Sequence, residues 1–475
     1  VLESLVAGQL YVRRSDRKVV LGRREGRGYA ISDPSTGGAL EVVSRRAVSR
    51  LKMSASDRDV LRELIVELQL GAPDATSRRL ALDAMLQDGT AIAQSVLDRR
   101  LVEEEDSAVR RRLEIFKLFD DLDQSSLDTR LAAIDRLAQF SHPAVRARLD
   151  SIVTDPGTDE ALREAAAASL RKIDRRLGWF DRLQTLYFGI SLGSVLVLAA
   201  IGLAITFGVM GVINMAHGEL IMIGAYTTWG VQTLMPGTPG LALVLSIPLA
   251  FLISGSVGVV IERSVVRHLY QRPAETLLAT FGISLILQQS VRSLFGPLNR
   301  SVVTPDWMSG SLEVVAGLSL TYNRLAIIGF CLLVFALLLL LINRSRFGLE
   351  LRAVAQNRQM AQALGVNSAR VDALTFALGS GVAGIAGVAL SQLTNVGPNL
   401  GQSYIVDSFL VVVVGGVGNL WGTLVAGLSI GIGNKVLEPM TGAVLAKILL
   451  LVGIILFIQK RPRGLFPQRG RVVDV

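Results

Sequence analysis

The chain is 475 residues long, half of them apolar, with a mean hydropathy of +0.46 and a formal net charge of +9. It is too long for one ordinary soluble domain and too apolar for two, so it reads as an integral membrane protein. Residues 1–182 carry about thirty acids and thirty-one bases, and the remaining 293 about ten and eighteen; the excess base therefore lies in short connections between apolar segments and not in a solvated nucleic-acid-binding patch.

Cys331 stands alone in an apolar run, which excludes a disulfide framework and a thiolate metal site and suits packing at lipid depth. His142, His217 and His268 are too scattered for a histidine cage, so neither metal nor cofactor is expected. The chain opens at Val1 without methionine or an apolar targeting segment, as it would after signal-peptide removal or after trimming.

From Tyr11 to about Val43 apolar and charged residues alternate between Gly, Asp and Pro punctuation, which predicts a small hairpin or two. From about Ser44 to Arg176 the period is helical, in blocks beginning at Arg79, Arg111, Arg130 and Arg163. The first and last pairs are separated by 32 and 33 residues, near a two-helix repeat, but the middle spacing is shorter. The pattern predicts an irregular HEAT-like stack over 1–178, capped by Asp and Ser and interrupted at Pro143 and Pro156.

Beyond it lie about nine apolar segments near spanning length, at 186–207, 218–235, 241–262, 275–295, 324–343, 372–393, 405–419, 420–437 and 443–460. The predicted fold class is thus all-α: a polytopic membrane helix bundle over 179–467, preceded by the helical domain with its small β-hairpin region near 10–43. About thirteen of the eighteen bases of this half fall in three places: Arg263 to Arg272, Arg344 to Arg370, and Lys460 to Arg471. These are assigned to the cytoplasm, so the C-terminal tail 468–475 is cytoplasmic; with an odd number of spans the N-terminal domain is extracytoplasmic.

The run Phe207 to Gly224, FGVMGVINMAHGELIMIG, sets Asn214, His217 and Glu219 inside an apolar region. Polar groups are costly in hydrocarbon and usually face a bundle interior or a wet path. The run reads either as a translocation path or as a wetted turn between two crossings. Small residues four apart, Gly379, Ala383 and Gly387, Gly418 and Gly422, Gly427 and Gly431, predict close helix packing in lipid and no site. The internal connection 344–371 can form one amphipathic helix with Ala353, Val354, Met360, Ala361 and Leu364 on its apolar side, stopped at Gly365.

The strings GVMGVINMAHGE, ATFGISLILQ and ELRAVAQNRQMAQALGVNSARVDALTFALGSGVAGIAGV together resemble the permease family of branched-chain amino-acid ABC importers over essentially all of 186–467. Within it, NVGPNLGQ, IVDSFLVVVVGGVGNLWGT from Ile405 to Thr423, and a long helical domain before the first span resemble the urea-importer branch. The resemblance implies a multi-pass subunit of the bacterial cytoplasmic (inner) membrane that is not itself an enzyme. It would pair with a second homologous permease, rest on two cytosolic ATPase subunits and receive its solute from an extracytoplasmic substrate-binding protein. Arg352, Ala353, Ala361, Leu364 and Gly365 correspond to the family's ATPase coupling loop. No GxxxxGK[ST] occurs, so no P-loop of this chain cradles ATP phosphates.

Urea is small and neutral, so its path needs hydrogen-bond donors and acceptors and no counter-charge; Asn214, His217 and Glu219 supply them. The alternatives are the same machine carrying a branched-chain amino acid or short amide, and an ATP-independent urea channel or carrier. A working N-terminal domain on a mere anchor needs one or two spans, not nine.

Overall fold

The computed structural model describes residues 4–466 except 6–8, 26–27, 35–37, 52–54, 125, 271 and 316–317. The expected tail 468–475 lies outside the described residues. The chain divides into two compact units, Val1–Gly178 and Trp179–Val475.

The first unit opens with an antiparallel sheet of β1 (Leu10–Arg13), β2 (Val19–Glu25), β3 (Gly28–Ser32), β4 (Ala39–Ser44) and β5 (Val48–Arg50), in the order β4-β3-β2-β1-β5. The expected hairpin or two is therefore a five-stranded sheet, extended past Val43 because β5 closes on β1 through Tyr11↔Arg50. Val20, Ile31 and Val48 form its small core.

Helices α1 (Ala55–Leu70), α2 (Ala75–Asp88), α3 (Gln94–Glu103), α4 (Ser107–Leu122), α5 (Leu127–Leu137) and α6 (Pro143–Thr154) follow. Asp74, Asp106 and Ser126 accept backbone N–H groups at the starts of α2, α4 and α5, satisfying donors that a helix leaves free. Pro143 occupies the first turn of α6, where its missing N–H costs nothing. Leu82, Leu113, Ile134, Leu137 and Leu149 fill the interior of this unit. Arg78 clasps Glu104 through Nη2–Oε1 at 2.8 Å and Nε–Oε2 at 3.0 Å. Burial pushes the Glu104 carboxyl up, but Arg78 and the Asp106 N–H together hold it below its ordinary range.

The unit boundary falls within α7 (Glu160–Met210). The second unit continues with α8 (His217–Leu234), α9 (Pro239–Ser264), a 3₁₀ turn Val266–Leu269, and α10 (Pro273–Phe295). A hairpin of β6 (Ser311–Val315) and β7 (Leu318–Thr321) lies in the connection to α11 (Tyr322–Arg344). Then come α12 (Arg346–Gln356), α13 (Arg358–Ala363), α14 (Ser368–Ser391), α15 (Leu400–Gly415), α16 (Leu420–Thr441) and α17 (Ala443–Lys460).

Among the described residues, seven helices are long and apolar enough to cross a membrane: α7, α9, α10, α11, α14, α16 and α17. The two remaining predicted segments are helical too, but α15 has only 16 residues and α8 carries His217, Glu219, Tyr226, Trp229 and Gln232. The first ten residues of α8 are almost wholly buried, whereas α15 exposes Gln402, Ser403 and Val406. The apolar windows of α7 and α14 are each 83% buried, while that of α17 is 11% buried and turns Val444, Ile448, Val452 and Leu456 outward. Helices buried all round form the middle of the bundle, and those with bare apolar faces form its lipid-facing shell.

Candidate functional site

Helix α7 stops at Met210, Gly211 turns the chain with φ +68, and α8 begins at His217. Non-helical backbone between two buried helices needs partners other than lipid. Asn214 Oδ1 accepts the Ala216 N–H at 3.0 Å, and Thr280 Oγ1 on α10 accepts the Met215 N–H at 3.1 Å. Ser254 on α9 donates to the Leu220 carbonyl at 3.0 Å, steadying the first turn of α8.

Asn214, His217 and Glu219 are 1%, 0% and 1% exposed. They do not meet one another in a single cluster of hydrogen bonds; each reaches a different element. His217 Nε2 donates to the Ala199 carbonyl of α7 at 2.8 Å. Glu219 Oε1 accepts the Ser284 hydroxyl of α10 at 3.0 Å. Asn214 Nδ2, His217 Nδ1 and Glu219 Oε2 have no protein partner, which leaves donor and acceptor capacity inside the bundle.

The partner helix carries residues that the sequence reading passed over. Thr276, Thr280, Ser284 and Gln288 recur every four residues along α10 and are all buried. Gln288 Nε2 and Arg292 Nη2 both donate to Asn399 Oδ1, at 2.9 and 3.0 Å, and Thr276 donates to the Leu269 carbonyl at 3.1 Å. A buried polar stripe thus runs along α10 and meets Glu219 half-way. The four-residue spacing within 275–295 was the available signal, since such residues share one helix face. The stripe offers hydroxyls and amides suited to a hydrogen-bonding solute. Among the described residues, no group of His, Cys, Asp and Glu could hold a metal ion.

The internal connection differs from the single amphipathic helix expected of it. Asn357, extended at φ −152, breaks it into α12 and α13 and caps the second through its side chain on the Met360 N–H. The apolar side is split as a result: Val354 and Ala361 are buried and Ala353 half-buried, whereas Met360 and Leu364 are 58% and 79% exposed. Gly365 has φ +89, a backbone region that a Cβ disfavours. Arg352 is exposed and lines a cavity of about 290 Å³ with Asn343, Asn419 and Trp421.

The small residues pack backbone on backbone. A Cβ on Gly379 would stand 2.6 Å from the Gly202 carbonyl oxygen, and one on Gly387 2.0 Å from that of Ile221; Ala383 between them is fully buried. Gly422 meets Gly415 and Gly431 meets Gly193 in the same way, while Gly427 makes room for the Val197 side chain. Gly418 departs from the expected helical pairing, because it sits at φ +80 in the turn before α16, against Gly208.

A family profile described as branched-chain amino acid transport system / permease component matches residues 185–458. The chain belongs to that permease family. The permease is 32% identical over 294 residues to the high-affinity branched-chain amino acid transport system permease protein LivH of Salmonella typhimurium, covering 60% of this chain and 94% of the relative. It is 30% identical over 296 residues to BraD of Pseudomonas aeruginosa, a permease protein of the same description, covering 60% and 96%. The ribose import permease protein RbsC of Haemophilus influenzae is more distant, at 24% identity over 256 residues, with 52% and 74% covered. No solved structure matches the permease at a significant level. Residues 1–184 lie outside the family match.

Proposed function

We propose that this permease is the membrane-spanning subunit of an ATP-driven importer in a bacterial inner membrane, with the Glu219–Ser284 contact inside its translocation path. The observation that carries this reading is the buried polar stripe of α10 that meets Glu219, Asn399 and the backbone of Ile213 and Met215 within a family of transport permeases. Polar groups held inside an apolar bundle with spare hydrogen-bonding capacity suit a small solute in transit. A second, homologous permease would complete the path, two cytosolic ATPases would dock on α12 and α13 around Arg352, Ala353, Ala361, Leu364 and Gly365, and an extracytoplasmic binding protein would deliver the solute. In this reading α8 and α15 complete nine crossings, and the helical domain before Trp179, HEAT-like in its repeat spacing, lies outside the cytoplasm.

The named relatives favour a branched-chain amino acid as cargo. A second reading, urea, is favoured by the segment from Asn395 to Thr423 and by the domain ahead of the spans, and the spare groups at Asn214, His217 and Glu219 match its donors and acceptors. Uptake of labelled leucine against labelled urea, in cells with and without this chain and its neighbouring ATPases, tests both. ATP-dependent loss of one label on deletion names the cargo; uptake that persists without the ATPases would replace the importer with a channel or carrier.

A further inference from the structure

Helix α12 buries Gly348, Leu351 and Val354 against the bundle and has two cavities beside it. A cavity of about 290 Å³ lined by Leu339, Leu351 and Trp421 and one of about 270 Å³ lined by Met210, Tyr270, Thr276, Val354 and Arg358 adjoin at Val209 and Ala355, which line both. Among the described residues, the side-chain polar ties from α13 to α14 are Gln362 to Ser368 at 2.6 Å and an ion pair of Arg358 with Asp372.

That ion pair has unusual surroundings. Asp372 stands in the first turn of α14 and is 1% exposed. The Arg358 guanidinium also lies over the Tyr270 ring, 4.1 Å from its centroid. Tyr270 directly follows the 3₁₀ turn whose Leu269 carbonyl accepts the Thr276 hydroxyl, the first member of the polar stripe of α10. Glu262 on α9 is buried nearby and faces the same guanidinium and Asp372, with Arg263 and Arg267 also in reach. One side chain of the internal connection thus grips α14, where the carboxylate is, and, through the aromatic ring, the turn that leads into α10 and is tied to it by Thr276.

We infer that Arg358 is the positioning residue that passes movement of α12 and α13 to the translocation path, through Asp372 into α14 and through Tyr270 into α10. A buried carboxylate left without its guanidinium is costly, so α14 must follow Arg358 or the pair must break. The arginine matters as a planar group that pairs and stacks at once, and lysine cannot do both. The inference rests on the importer reading, and it adds a residue outside the group that the family resemblance assigned to coupling.

The test uses the complete reconstituted importer with its partner permease, ATPases and binding protein. Asp372→Asn and Arg358→Lys should keep the ATPase subunits bound and basal hydrolysis near the parent's, and lower both uptake and the stimulation of hydrolysis by loaded binding protein by roughly tenfold. The exchange Arg358→Asp with Asp372→Arg should recover part of that stimulation. Undiminished stimulation in Asp372→Asn overturns the inference. So does loss of the ATPase subunits in both single variants with no recovery in the exchange, which would make the pair an assembly contact. A parent complex that transports without hydrolysing ATP is a different result: it removes the importer reading, and the inference falls with it.

Discussion

Ser284 donates its hydroxyl to Glu219 Oε1 at 3.0 Å, tying the middle of α10 to the first turn of α8 while Oε2 stays unpartnered in the bundle interior. Removing one member strands a buried polar group, at a cost of roughly 1–3 kcal/mol. Glu219→Leu is expected to lower uptake far more than membrane abundance, and Glu219→Gln, which still accepts from Ser284, to lower it less. Labelled-solute uptake normalised to abundance checks this; parental uptake in Glu219→Leu would reduce the residue to a support of the turn.

The contact of Gly387 with Ile221 makes a separate prediction. A Cβ at 2.0 Å from a carbonyl oxygen forces α14 away from α8, so Gly387→Ala should destabilise the folded permease by roughly 1–3 kcal/mol. Gly329→Ala on α11 meets nothing within 4 Å and should be neutral. Thermal unfolding of both in detergent distinguishes them, and equal midpoints would contradict the close approach.

In the first unit, stability should fall with acidification. Glu104 is held below its ordinary range when folded, so its contribution is present above the ordinary glutamate range and disappears as pH drops through the lowered value. Hydrogen-exchange protection factors in α2, α3 and α4 of the full chain, corrected for the pH dependence of intrinsic exchange, should fall over that window. Glu104→Gln should remove most of the pH response, and a response that persists undiminished would assign it to other carboxylates.

Gly365 at φ +89 turns the chain between α13 and α14. Valine is strained there, and charge reversal at the exposed Arg352 alters the face expected to meet the ATPase. Arg352→Glu combined with Gly365→Val should abolish the hydrolysis response to loaded binding protein while that protein still docks. Copurification of the ATPases together with an intact response would clear this connection of a coupling role.

Orientation can be read with an impermeant thiol reagent on intact spheroplasts. Ser77 and Leu364 are both exposed, and Cys331, at 1%, is replaced by serine to leave a clean background. Cysteine at 77 should label and cysteine at 364 should not; the reverse pattern places the first unit with the ATPases.

The sequence alone determined where the apolar helices lie, since apolar length is a local property: each predicted segment falls on a helix, with ends within about five residues except at the first, which is only the C-terminal part of the 51-residue α7. It also determined that Asn214, His217 and Glu219 would be turned away from lipid, because hydrocarbon penalises them wherever they stand. What each touches was decided only by packing. His217 finds a carbonyl 18 residues back and Glu219 a hydroxyl 65 residues on, separations along which no local periodicity runs. The same holds for β5, which joins the sheet by pairing with distant β1, and for Asn357, whose capping of α13 divides a helix that the apolar pattern alone would have continued. Local pattern states what a residue avoids; the assembled bundle selects its partner, because a buried polar atom must be satisfied by whichever group the neighbouring element brings within reach.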